Sequence, residues 1–115
     1  MLKAWLAKLS DWTGDKDLLK AIHKQLRDDG YSVNGAQVRE VRLAAIQRPG
    51  WLQVYRFYVE TVTNGENPHE RREVRLLGLS RDDGRQKRID VLLTEDEAVY
   101  RDRYEEWSDG LIQRR

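Results

Sequence analysis

The chain has 115 residues, 39% hydrophobic and 36% charged, and its 21 basic and 20 acidic side chains leave a formal charge of +1. That length fits one domain with a single modest core, and the near cancellation of charge argues against bulk electrostatic attraction to nucleic acid. There is no cysteine, which excludes a disulfide framework and a thiolate zinc site. A reducing, cytoplasmic setting is the expectation, with no signal-peptide core and no transmembrane segment.

Charge is spread unevenly. Met1 to Ala36 holds six basic and five acidic residues, Gln37 to Leu93 eleven and eight, and Thr94 to Arg115 four and seven. The middle of the chain is therefore mildly basic and its end mildly acidic.

Leu2, Trp5, Leu6, Leu9 and Trp12 recur at helical spacing, which predicts a short amphipathic helix. Thr13-Gly14 interrupts it, and Asp15 or Asp17 is positioned to open a second helix. Leu18, Leu19, Ile22 and Leu26 make that helix's apolar stripe, and Asp29-Gly30 supplies a left-handed stop. Residues 1–30 are thus read as two helical segments.

Residues 36–93 read as four strands. Ala36 to Ile46 is the first, with Val41, Leu43 and Ala45 expected on one face and Glu40 and Arg42 on the other. Gln47 to Gly50 is a proline-glycine turn. Trp51 to Thr63 is the longest strand, with Trp51, Tyr55, Phe57 and Val59 alternating against Leu52, Val54, Arg56, Tyr58 and Glu60. Apolar groups on both its faces point to a central strand, covered by helix on one side and shielded by long side chains or a partner on the other. Asn64 to Pro68 is the next turn, and Glu73 to Ser80 and Lys87 to Leu93 form a hairpin around Arg81-Asp82-Asp83-Gly84, with a loop of two residues or of three to five.

Thr94-Glu95-Asp96-Glu97 matches a capping box in which Thr94 and Glu97 satisfy each other's free amides. Residues 94–112 follow as a C-terminal helix with Tyr100, Tyr104, Trp107 and Leu111 on one face, ended or kinked at Ser108 to Gly110. Gln113 to Arg115 are expected to fray. The expected product is a single α+β domain, a four-stranded antiparallel meander with helices mainly on one sheet face.

Chemistry is sparse. His69 in Asn67-Pro68-His69-Glu70 and the distant His23 do not make a metal ligand set, because no HxxxH or HExxH spacing joins them. Asp82-Asp83-Gly84 lacks the alternating oxygens and closing glutamate of a calcium loop. The carboxylates of Thr94 to Glu97 and of Glu105-Glu106 are explained by a helix start and a solvated helix face. No serine has a histidine and acid in a pattern that suggests nucleophilic catalysis. The expectation is a non-catalytic protein with no cofactor and no metal.

Three binding surfaces remain. Trp51, Arg56 and Tyr58 would serve a protein partner or a second copy of the chain, since arginine and large aromatics are enriched in interface centres. Arg42, Arg56, Arg75 and Arg88 on the outer sheet face would grip nucleic-acid phosphates, although Glu40, Glu60, Glu73 and Asp90 are placed to neutralise them. Tyr55, Phe57, Tyr100 and Trp107 would line a small-ligand pocket between sheet and helix, against the simpler reading of a packed aromatic core. The first helix, with Trp5 and Trp12, is read as covering the core or self-associating rather than lying in a membrane surface. A protein-interaction module is the leading reading.

Overall fold

The computed structural model describes residues 16–47, 50–63, 69 and 71–113. The expected helix over Leu2 to Trp12, Asp15, Arg48-Pro49 and the turn from Asn64 to Pro68 lie outside the described residues.

Helix α1 (Lys16–Asp28) buries Leu18, Ile22 and Leu26, which are spaced by four and stack along one face. Asp17 sits in its first turn. It stops at Gly30, whose φ is +84°, with Gly30 N–H donating to Arg27 C=O and Tyr31 N–H to Leu26 C=O at 3.1 and 2.8 Å. This is a Schellman ending, and Tyr31, just past the glycine, packs against the same cluster as Leu26.

Five strands follow: β1 (Gln37–Gln47), β2 (Leu52–Val62), β3 (Glu73–Asp83), β4 (Arg88–Thr94) and, after helix α2 (Glu97–Ser108), the two-residue β5 (Ile112–Gln113). All pairings are antiparallel, and the order is β4-β3-β2-β1-β5. The meander of the first four strands is as expected. The fifth is a correction: Gln113 does not fray but pairs with Ala45, and Ile112 with Ile46. Gly110, at φ +76°, and the Leu111 N–H bond to Ser108 C=O at 3.0 Å reverse the chain onto the β1 edge. That pairing is distant in sequence and leaves no local pattern.

The helices also depart from expectation, since α1 and α2 lie on opposite faces of the sheet. Alternation along β2 sends Phe57 and Val59 to one side and Val54 to the other. The first pair joins Leu18, Ile22 and Leu26 of α1, with Val74, Leu76 and Leu93. Val54 instead joins Ala45, Leu79 and Trp107, with Tyr100, Tyr104, Leu92 and Leu111 around them. A central strand apolar on both faces needs cover on both, and one helix supplies each.

Strand β1 does not keep the expected single apolar face. Its register against β2 shifts between Arg39 and Arg42 and again between Leu43 and Ala45. Each bulge inserts a residue and restarts the alternation. Val41 therefore packs on the α1 side and Ala45 on the α2 side. The first bulge holds Glu40 at φ +55°.

One local expectation also changes. The N-cap of α2 is Asp96, whose carboxylate accepts from the Ala98 and Val99 amides, so Thr94 and Glu97 do not form the capping box. Thr94 ends β4, and its hydroxyl accepts from Asp96 N–H at 3.0 Å. The β3–β4 loop has four residues, Gly84 to Lys87. Asp83 Oδ1 accepts from the Arg85 and Gln86 amides, each at 3.0 Å, and Lys87 is left-handed at φ +52°.

Candidate functional site

Helix α2 packs across β4, β3 and β1 and covers only part of its face. Next to Tyr100 the sheet opens into a cleft of about 290 Å³ lined by Glu40, Arg42, Arg56, Phe57, Tyr58, Leu77 and Tyr100. The Phe57 ring belongs to the other face, so this residue contributes its strand. Arg42 and Arg56 come from adjacent strands and are direct cross-strand partners. Tyr58 and Leu77 are likewise paired, across β2 and β3.

Most charges on this face are matched. Arg39 meets Glu60 at 2.9 Å, Arg75 meets Glu40 at 3.4 Å, and Arg88 meets Asp90 at 3.0 Å. The Arg75 guanidinium also lies over the Tyr58 ring, 3.9 Å from its centre, a cation–π contact that holds the ring in place. Arg42 and Arg56 differ, as does Arg81 further along the same face: among the described residues none of the three forms an ion pair with a carboxylate. The Tyr100 phenol is pushed above its ordinary pKa chiefly by burial, while the neighbouring Arg56 acts in the opposite direction. Tyr100 therefore faces the cleft as a neutral phenol at physiological pH.

The sequence-derived sites are redistributed. Arg42, Arg56, Arg75 and Arg88 share the α2 face by strand alternation, as expected, yet Arg75 and Arg88 are neutralised by Glu40 and Asp90. Of the trio Trp51, Arg56 and Tyr58, the last two line the cleft. Trp51 precedes β2, and at the usual strand rise seven residues separate it from Tyr58 by about 23 Å. Its carbonyl accepts from Gly84 N–H at 2.7 Å and Arg85 covers its ring at 4.4 Å, which makes it a closing contact for the end of the sheet.

The quartet Tyr55, Phe57, Tyr100 and Trp107 does not form a pocket. Phe57 is in the α1-side core, and Tyr100 and Trp107 are in the α2-side core, so the sheet separates them. Tyr55 shares the parity of Phe57 and donates its hydroxyl to Gln53 Oε1 at 2.7 Å. Of the four, Tyr100 lines the cleft and Phe57 does so through its strand alone. The sequence offers Glu40 only as a neutralising partner for the sheet arginines and does not offer Leu77, since bulge position and the end of helical cover leave no residue pattern.

A larger, open depression of about 540 Å³ lies where the Asn34-Gly35 loop meets β2 and β3, lined also by Gln37, Glu60, Glu73 and Arg75. Its Glu60 and Arg75 are already paired, and it has no aromatic lining. Among the described residues, no three His, Asp or Glu side chains are grouped to hold a metal ion, and no helix is long and apolar enough to cross a membrane. No protein-family model, curated protein or solved structure matches the chain.

Proposed function

We propose that this chain is a non-catalytic protein-interaction module whose contact surface is the open part of the sheet beside α2. The observation that carries this reading is the lining of the cleft: two arginines and two tyrosines around Leu77. Arginine and tyrosine with an apolar floor are the residue types that concentrate in interface centres and hot spots. Holding Tyr58 under Arg75 lowers the entropy lost when a partner packs on the ring.

Nucleic-acid contact is less well supported, because two of the four arginines that would serve it are held by carboxylates. A small-ligand pocket is less well supported too. The cleft of about 290 Å³ is at the bottom of the range of roughly 300–1,000 Å³ usual for such sites.

The test is chemical crosslinking in cells that express the chain, followed by identification of what is attached, for the native protein and for Tyr58→Ala, Leu77→Asp and Trp51→Ala. Circular dichroism would establish that each variant is folded. The expected result is specific attachment, to another protein or to a second copy, lost with Tyr58→Ala and Leu77→Asp and retained with Trp51→Ala. Attachment unchanged in both cleft variants would overturn the assignment of the surface.

A further inference from the structure

Arg42 and Arg56 face each other directly across β1 and β2. Like charges at directly opposed sheet positions repel, and the usual solution is an opposite pair. The same two strands use that solution nearby, at Arg39 and Glu60. At the cleft, among the described residues, they do not, and the two arginines line it together with the neutral Tyr100 phenol and Leu77. Glu40, on the rim, is held in the left-handed region at φ +55°, a conformation costly for a residue with a side chain and found preferentially at functional positions. Its carboxylate is drawn to Arg75 rather than to either unmatched arginine.

From this geometry we infer that the cleft seats a carboxylate from an acidic segment of the partner protein, held between Arg42 and Arg56; the inference rests on the proposed interaction surface. One carboxylate offers two oxygens to two guanidinium groups and turns repulsion into charge-assisted hydrogen bonds. The same two guanidinium groups would also attract a phosphate, and the titration below separates the two. The cleft of about 290 Å³ has room for the segment that carries the acid, and Tyr58 and Leu77 provide apolar contact for it.

The full chain, labelled with ¹⁵N, would be titrated with a blocked peptide of glutamate and glycine, with its glutamine counterpart, with a phosphoserine counterpart and with oligothymidylate. Backbone amides and arginine Nε–H signals would be followed by NMR. The expected result is saturable shifts at Arg42, Arg56, Tyr58 and Leu77 with the glutamate peptide, at least about ten-fold weaker with glutamine, as loss of a charged hydrogen bond implies. Arg42→Gln and Arg56→Gln should each weaken binding by a similar factor, and Arg88→Gln should leave it unchanged. Arg42→Glu, which creates an opposite pair with Arg56, should abolish binding and raise the melting temperature.

Shifts spread equally over Arg72, Arg88 and Arg101, or equal response to glutamate and glutamine, would overturn the inference. Tighter binding of phosphoserine or oligothymidylate at the same residues would overturn it in favour of phosphate. The two readings fail separately. If crosslinked partner is lost with Tyr58→Ala but kept with Arg42→Gln and Arg56→Gln, the surface stands and the carboxylate seat falls. If the glutamate peptide binds as expected while the cleft variants keep their partner, the seat stands and the proposed surface falls.

Discussion

Gly78 of β3 and Phe57 of β2 are direct cross-strand partners, and the Phe57 ring lies over the glycine so closely that a Cβ there would come under 3.0 Å from ring carbons Cδ2, Cε2 and Cζ. A glycine in the interior of a central strand weakens it unless something needs the space. Here the ring needs it. Phe57 is 2% exposed and fills the α1-side core where β3 presents no side chain. The other strand neighbour of Gly78 is Leu93, which belongs to the same core.

Gly78→Ala should therefore destabilise the chain by about 2–3 kcal/mol, the upper part of the range for overpacking a core. In a Phe57→Leu background the same substitution should cost markedly less, giving a coupling of the size found between touching residues. Urea denaturation of the four proteins of the cycle checks this. Equal costs in both backgrounds would show that the ring is not what excludes the methyl group.

Among the described residues, two with side chains occupy left-handed backbone, Glu40 and Lys87. Lys87→Gly should stabilise the chain by about 0.5–1 kcal/mol, the left-handed penalty less the entropy of a freer unfolded chain. Glu40→Gly should gain less, since it also removes the exposed ion pair with Arg75, worth less than about 1 kcal/mol. Thermal and urea midpoints would rank them, and a loss of stability with Lys87→Gly would contradict the turn geometry.

Asp96, not Thr94, caps α2. Asp96→Ala should cost about 1 kcal/mol, while Glu97→Gln should change stability by only a few tenths, because Glu97 makes no return bond of the kind a capping box requires. Equilibrium denaturation of the two variants separates the possibilities. A large loss with Glu97→Gln would restore the capping box.

Arg72 binds Glu95 through two hydrogen bonds of 3.0 and 3.2 Å, and that contact lowers the Glu95 pKa from its ordinary 4.5. A carboxyl group with a lowered folded-state pKa adds stability above its unfolded value, and loses it as pH falls through the folded one. Both groups are exposed and the effect is small. The native chain should lose more stability than Arg72→Gln as pH is taken below 4.5, so the gap between them narrows. A gap that stays constant in urea melts over this range would mean that the pair contributes nothing.

Local pattern was enough for much of this fold. The apolar stripe of Leu18, Ile22 and Leu26, the stop at Gly30, the alternation of β2 and the aromatic face of α2 each depend on neighbours within a few residues, where backbone geometry and side-chain period speak directly. The sequence alone thus determined an antiparallel α+β chain with a central strand apolar on both sides and a polarised supply of arginine, tyrosine and tryptophan. It also brought Arg42, Arg56 and Tyr58 forward as candidates.

Tertiary structure decided which of them belong together. The bulge at Glu40 set Arg42 opposite Arg56, and the departure of the second helix to the far face split the Tyr55–Phe57 pair from Tyr100 and Trp107. The pairing of Ile112 and Gln113 with β1 closed an edge that local pattern had left open. Each of these depends on register or on contacts between residues far apart in the chain, where a shift of one position moves every side chain to the other face. Charge showed the same division: the composition counted the arginines, and only the folded sheet determined that, among the described residues, Arg39, Arg75 and Arg88 have carboxylates while Arg42 and Arg56 face each other.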